Sequence, residues 1–180
     1  MSGTRTPALA SAIIAVTLLA GCASAAAGAT LADSKGLVQL VRNEAGQRLP
    51  ADDVAEVKLV DDGSEACADA ADDPEGRERR WASTLVVTLS PTASDSLETT
   101  YSELIDSFVG NGWSEVSYGG GGAATLQKPD EDASIAFAAT QADVDAATPP
   151  SVSITIHSAC VATAGAESDE VTKLEELSAD

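Results

Sequence analysis

Residues 81–90, WASTLVVTLS, alternate between two kinds of side chain. Trp81, Ser83, Leu85, Val87 and Leu89 fall on one side of an extended chain, and Ala82, Thr84, Val86, Thr88 and Ser90 on the other. This is the period of a half-buried strand, which needs a cover on one face only. The cover follows in the chain. In SDSLETTYSELIDSFVGNGW the residues Leu97, Tyr101, Leu104, Ile105, Phe108 and Val109 recur at spacings of three and four, the stripe of an amphipathic helix. Asp95 with Glu98 three positions on resembles a capping box, and Gly110 with the following Asn-Gly stops the helix. The stripe reads as core rather than as a ligand groove.

The remaining segments extend the same pattern. KGLVQLVRNEAGQRLP, from Lys35, predicts a short helix with Leu37, Val38, Leu40 and Val41 on one side, Gly46 as a stop and Pro50 beyond it. VAEVKLV at 54–60 reads as a weaker strand: Val54, Glu56, Lys58 and Val60 make a mixed face against Ala55, Val57 and Leu59. After the helix come WSEVSY from Trp113, a glycine run at 119–122 that reads as a hairpin connection, AATLQK, ASIAFAAT and SVSITIHSACV. In the last, Val152, Ile154, Ile156, Ser158 and Cys160 share parity, which puts Cys160 at the end of a core-facing row and His157 on the opposite face. The fold class expected is α+β: a two-layer sandwich with a mainly antiparallel sheet of four or five strands and one long and one short helix on one face. The strand–helix–strand unit from Trp81 to Tyr118 is a right-handed crossover if its strands are parallel and share the sheet. The uncovered face, rich in Ser and Thr, meets solvent or a partner.

The chain starts differently. Arg5 precedes an uncharged apolar run from Ala8 to Ala20, the length of a signal-peptide core and short of the roughly 20 residues that span a bilayer. Leu19, Ala20, Gly21 and Cys22 then resemble the lipobox of bacterial lipoprotein precursors. The resemblance implies that Cys22 takes a diacylglyceryl group on sulfur, that cleavage follows Gly21, and that Cys22 becomes the N-terminus. The competing reading, a secretory signal cut near ASA at 23–25, discards Cys22. Two or more acyl chains hold a protein stably on a membrane where one does not. The expected organisation is a signal peptide at 1–21, a lipidated terminus and small-residue tether at 22–34, the folded domain at 35–162 and an acidic, disordered tail at 163–180.

Charge and cysteine usage narrow the function. The chain carries 29 acidic and 10 basic side chains for a net charge of -19, and loss of Arg5 with the leader adds to the excess. Such a protein repels nucleic acid and anionic surfaces, and the cluster Arg77, Arg79 and Arg80 does not change that. Aromatic residues make up 3% of the chain, so the core must come from Val, Leu, Ile and Ala. In an oxidising compartment Cys67 and Cys160 pair as a disulfide. Metal ligation or redox cycling by these two lacks support, since there is no CxxC spacing and the chain has one His. Asp69, Asp72 and Asp73 do not follow the order of a calcium loop, and the glycine run lacks the residues of a phosphate loop. No catalytic residue, metal ligand or cofactor is expected; His157, on a solvent face, has no evident partner as a base.

Cys22, Cys67, RRWASTLVVTL, FVGNGW and VSITIHSAC together resemble a class of small actinobacterial lipoproteins and secreted proteins without assigned function. The resemblance implies an extracytoplasmic, membrane-anchored domain. It brings no catalytic residue with it. The function expected is non-enzymatic binding of an envelope protein or ligand, with a small-ligand or lipid carrier, its cargo between helix and sheet, as the alternative.

Overall fold

A computed structural model describes residues 28–90, 97–119, 123–128, 133–140 and 149–178. Its elements are α1 (Leu31–Arg48), β1 (Val54–Ala66), β2 (Glu78–Leu89), α2 (Leu97–Val109), β3 (Ser114–Gly119), β4 (Ala123–Lys128), β5 (Ala133–Thr140), β6 (Ser151–Ser158), β7 (Val161–Ala162) and α3 (Asp169–Glu176). The seven strands form one sheet in the order β1-β2-β6-β5-β4-β3, with β7 also on β2. Every pairing is antiparallel. The fold is therefore α+β with an antiparallel sheet, as expected, but the sheet exceeds four or five strands. By the alternation across the sheet β2 and β3 run the same way, and the chain crosses between them through α2 over three intervening strands.

The row read from WASTLVVTLS is the middle of the core. Trp81, Ser83, Leu85, Val87 and Leu89 are all buried, as are Val152, Ile154 and Ile156 of β6, Ala133 and Ile135 of β5, and Ala124 and Leu126 of β4. Leu31, Val38, Val41 and Ala45 of α1 and Leu97, Tyr101, Leu104, Ile105 and Phe108 of α2 join the same cluster. Phe108 meets Trp113 edge to face at 5.6 Å between ring centroids. The Arg48 guanidinium lies 4.9 Å over the Phe108 ring and donates to Ser107 O at 3.1 Å, tying the end of α1 to α2.

Several expectations change. The helix expected to be short, α1, is the longest at 18 residues, and it begins at Leu31, inside the expected tether. Thr30 caps it: the Asp33 amide donates to Thr30 Oγ1, and the Asp33 carboxylate accepts from the Thr30 amide, a capping box with Asp in the third position. The Thr30 amide, and after it the Thr30 hydroxyl, donate to the Asp33 carboxylate and hold its pKa below its ordinary value. Gly46 lies within the helix, and Leu40 is 65% exposed rather than on the buried side. The expected tail holds α3, capped by Ser168 and seated by the fully buried Val171. Asp95 lies outside the described residues.

Strand β1 runs six residues past Val60, and its register shifts between Val54 and Glu56 and again between Leu59 and Asp61. These bulges turn alternate-parity residues to one side. Val54 faces Leu89, Val57 faces Val87 and Leu59 faces Leu85, all on the covered side, while Glu56 and Lys58 face Thr88 and Val86 on the other. A second irregularity divides β6 from β7. Ala82 pairs with His157 but Arg79 pairs with Val161, so the β6–β7 side carries an extra residue. Parity fails there, and Cys160 is exposed rather than at the end of a core row.

Candidate functional site: the open face of the sheet

On the side of β2 and β6 away from α1, the outward row of β2 is Arg80, Ala82, Thr84, Val86 and Thr88, and that of β6 is Ser151, Ser153, Thr155 and His157. All except Ala82 are partly exposed. Thr84 and Thr155, directly opposed, share a hydrogen bond of 3.1 Å between their hydroxyls. The surface is broad, small-chained and rich in hydroxyls, as the alternating sequence implies.

At one end of it three charged or titratable groups converge. Glu65 of β1 pairs across the ladder with Arg80 of β2, and its carboxylate accepts from Arg80 Nε. His157 of β6 faces Ala82, which faces Gly63. No large side chain stands between, and the imidazole Nδ1 comes within 3.3 Å of Glu65 Oε1. The approach is off-line, and Nδ1 makes no hydrogen bond. Burial holds the His157 pKa below its ordinary value; the Arg80 guanidinium adds to that and Glu65 opposes it. The imidazole is therefore neutral near pH 7. Among the described residues no hydroxyl or thiol is hydrogen-bonded to it.

A second polar cluster, on the covered side, is one that the sequence pattern did not reveal. The bulge after Leu59 turns Asp62 inward, opposite Ser83. Its carboxylate pairs with Arg42 Nη1 at 3.1 Å and accepts from Gln39 Nε2 at 3.1 Å and Trp81 Nε1 at 2.9 Å. Three donor atoms thus converge on the carboxylate, the kind of compensation under which a buried charge is tolerated. Beside it, Lys35 lies 4.9 Å over the Trp81 ring and donates to Leu174 O of α3 at 2.7 Å. Arg79 and Glu175 both reach Ser64. These contacts join α1, α3 and the β1–β2 hairpin around one tryptophan.

Cys67 and Cys160 are bonded, with their Cα atoms 6.2 Å apart. The bond sits where β6 breaks, and the Cys67 amide continues the hairpin ladder by donating to Glu78 O at 2.9 Å. Ser158 uses its hydroxyl there to accept from the Trp81 amide at 3.0 Å. A cleft of about 550 Å³ opens beside this break, between the start of α1 and the Ser158–Ala162 segment, lined also by Ser34 and Leu37. In the acidic loop the Asp73 carboxylate accepts from the Glu78 amide at 2.8 Å. Its pKa is lowered, chiefly by the backbone amide of Arg77. Among the described residues no group of three or more metal-ligating side chains is gathered, and no helix is long and apolar enough to cross a membrane. Leu19, Ala20, Gly21 and Cys22 lie outside the described residues. No protein-family model matches this chain, and no curated protein or solved structure matches it either.

Proposed function

We propose that the protein is an extracytoplasmic lipoprotein, anchored in the cell membrane through Cys22, whose domain binds a protein or other component of the envelope without chemistry of its own. The observation that carries the binding role is the partly exposed Ser/Thr face of β2 and β6. We read the helices as one layer over the opposite face, which leaves this one for a partner. The anchor rests on the resemblance of Leu19–Cys22 to a lipobox. With α1 capped at Thr30, residues 23–30 could extend no more than about 28 Å, so the domain would work close to the bilayer.

Two substitutions test the two halves. Cys22→Ala should move the protein from the membrane fraction to the soluble exported fraction; persistent tight membrane association would remove the anchor. Thr155→Arg, in the middle of the open face, should abolish recovery of whatever envelope component the tagged wild-type chain captures, with the fold retained by circular dichroism. Equal recovery by the variant would rule out that face. The carrier alternative has its own support in the cleft between α1 and Ser158–Ala162, whose volume of about 550 Å³ suits a small ligand. A small molecule retained in native mass spectrometry, with no protein captured, would favour it.

A further inference from the structure

Strand β1 lies at the end of the sheet order, paired with β2 and met by α3 and, at Asp62, by Gln39 and Arg42 of α1. Helix α3 meets it at Ser64, which leaves Glu56–Val60 uncovered. Val57, Leu59 and Val60 are 47%, 45% and 57% exposed, although Val57 and Leu59 sit on the same side as the buried row of β2. Among the described residues no element packs over them on that side. Glu56 and Lys58 are exposed on the other side, and among the described residues neither joins an ion pair or hydrogen bond.

We propose that this edge pairs with the β1 edge of a second copy of the chain, antiparallel, about a two-fold axis passing through Val57. An antiparallel neighbour generated by a two-fold axis perpendicular to the sheet keeps its faces, so directly opposed residues must come from the same side. That restricts the axis to a residue position. Centred on Glu56 or on Lys58, the pairing sets like charges against each other. Centred on Leu59, it sets Lys58 against Val60 and Val57 against Asp61. Centred on Val57, it places Val57 against Val57, Leu59 against Ala55, and Glu56 against Lys58 twice. A lysine on an edge strand ordinarily discourages pairing; here Glu56, two residues away, makes it complementary in this one register. The bulges at Val54/Glu56 and Leu59/Asp61 bound the regular stretch, so the contact is short and the dimer weak, with a Kd between about 1 μM and 1 mM. Net charge of -19 per chain opposes association at low ionic strength, and salt near physiological concentration relieves it. The interface lies on the edge of the sheet, with Glu56 and Lys58 beside Thr88 and Val86 of the open face, and the pairing does not require whatever that face binds.

The test is sedimentation equilibrium of the full chain, purified in detergent, at about 0.15 M salt. The wild type should show a reversible monomer–dimer equilibrium. Lys58→Glu and Glu56→Lys each replace two opposite-charge pairs by two like-charge pairs and should each weaken the dimer by about tenfold or more. The double variant Glu56→Lys with Lys58→Glu restores both pairs and should recover wild-type association. Both side chains are exposed, so the monomer's unfolding midpoint should stay unchanged. A chain that remains monomeric up to about 1 mM, a dimer indifferent to the single changes, or a double variant that fails to recover would each overturn the proposal.

Discussion

Asp61 and Asp62 are adjacent, identical in type and placed by the bulge in opposite surroundings, which makes them a direct test of the register of β1. Asp61 is exposed, opposite Thr84. The Asp62 side chain is 5% exposed and its partner Arg42 17%. Removing one member of a buried pair costs about 3–5 kcal/mol because the other is left uncompensated. Arg42 keeps some access to water, which lowers its share. The Trp81 indole N–H, left without its acceptor, adds about 1–3 kcal/mol. Asp62→Ala should therefore destabilise the fold by about 3–5 kcal/mol, a large part of the roughly 5–15 kcal/mol typical of a domain. At about 2–4 °C per kcal/mol for a chain of this size, the midpoint should fall by about 6–20 °C. Asp61→Ala should stay within about 0.5 kcal/mol of wild type, since the hydrogen bond it accepts from Ser83 Oγ is made at its backbone oxygen. Asp62→Asn, which keeps an acceptor for the indole and loses the charge, should fall between. Thermal and urea unfolding with the disulfide intact measure all three, and an unchanged urea dependence would locate the effect in stability. If Asp62→Ala cost less than about 1 kcal/mol, or if Asp61→Ala were the worse variant, the register and the role of the buried pair would both be wrong.

Two further perturbations probe the other junctions of the fold. His157 has a folded pKa below its ordinary value, so on acidification the unfolded chain takes up the proton first. Stability should then rise with pH from the lowered folded value up to about 6.5, and the full penalty should be reached below the folded pKa. Urea midpoints measured stepwise between about pH 7.5 and 5.5 should show a slope that His157→Gln removes; identical profiles for the two chains would refute it. Val171 is fully buried while Leu177 of the same C-terminal segment is 72% exposed. Val171→Asp should cost about 3 kcal/mol and Leu177→Asp no more than about 0.5 kcal/mol, and equal, small effects would mean that α3 is not docked.

What the sequence displayed was regular structure, and what it concealed was the irregularities. The β2 row from Trp81 to Leu89 and the α2 stripe from Leu97 to Phe108 follow single periods of two and 3.6, and every residue named in the β2 row is buried. The mixed face of VAEVKLV is the trace of a period that changes phase at each bulge of β1, and the same phase error at the end of β6 displaced Cys160 from the core row. Two helix boundaries could have been found locally. Thr30 with Asp33 is a capping pair hidden in an alanine-rich stretch, and Ser168 precedes two acids ahead of Val171, Leu174 and Leu177. Asp62 could not be found in this way, because its burial depends on a bulge that no residue in VDDG announces and on Gln39 and Arg42 from a distant helix. The bulges have one cause and two effects. By rotating β1 they bring Asp62 under α1, where Trp81 and Arg42 satisfy it, and they set off Glu56–Leu59 as a short regular stretch of exposed side chains on the edge. The residues that made this strand hard to read are those that decide what its two ends can do: one end is fixed by a satisfied buried charge, and the other presents alternating charge and apolar side chains to whatever strand comes beside it.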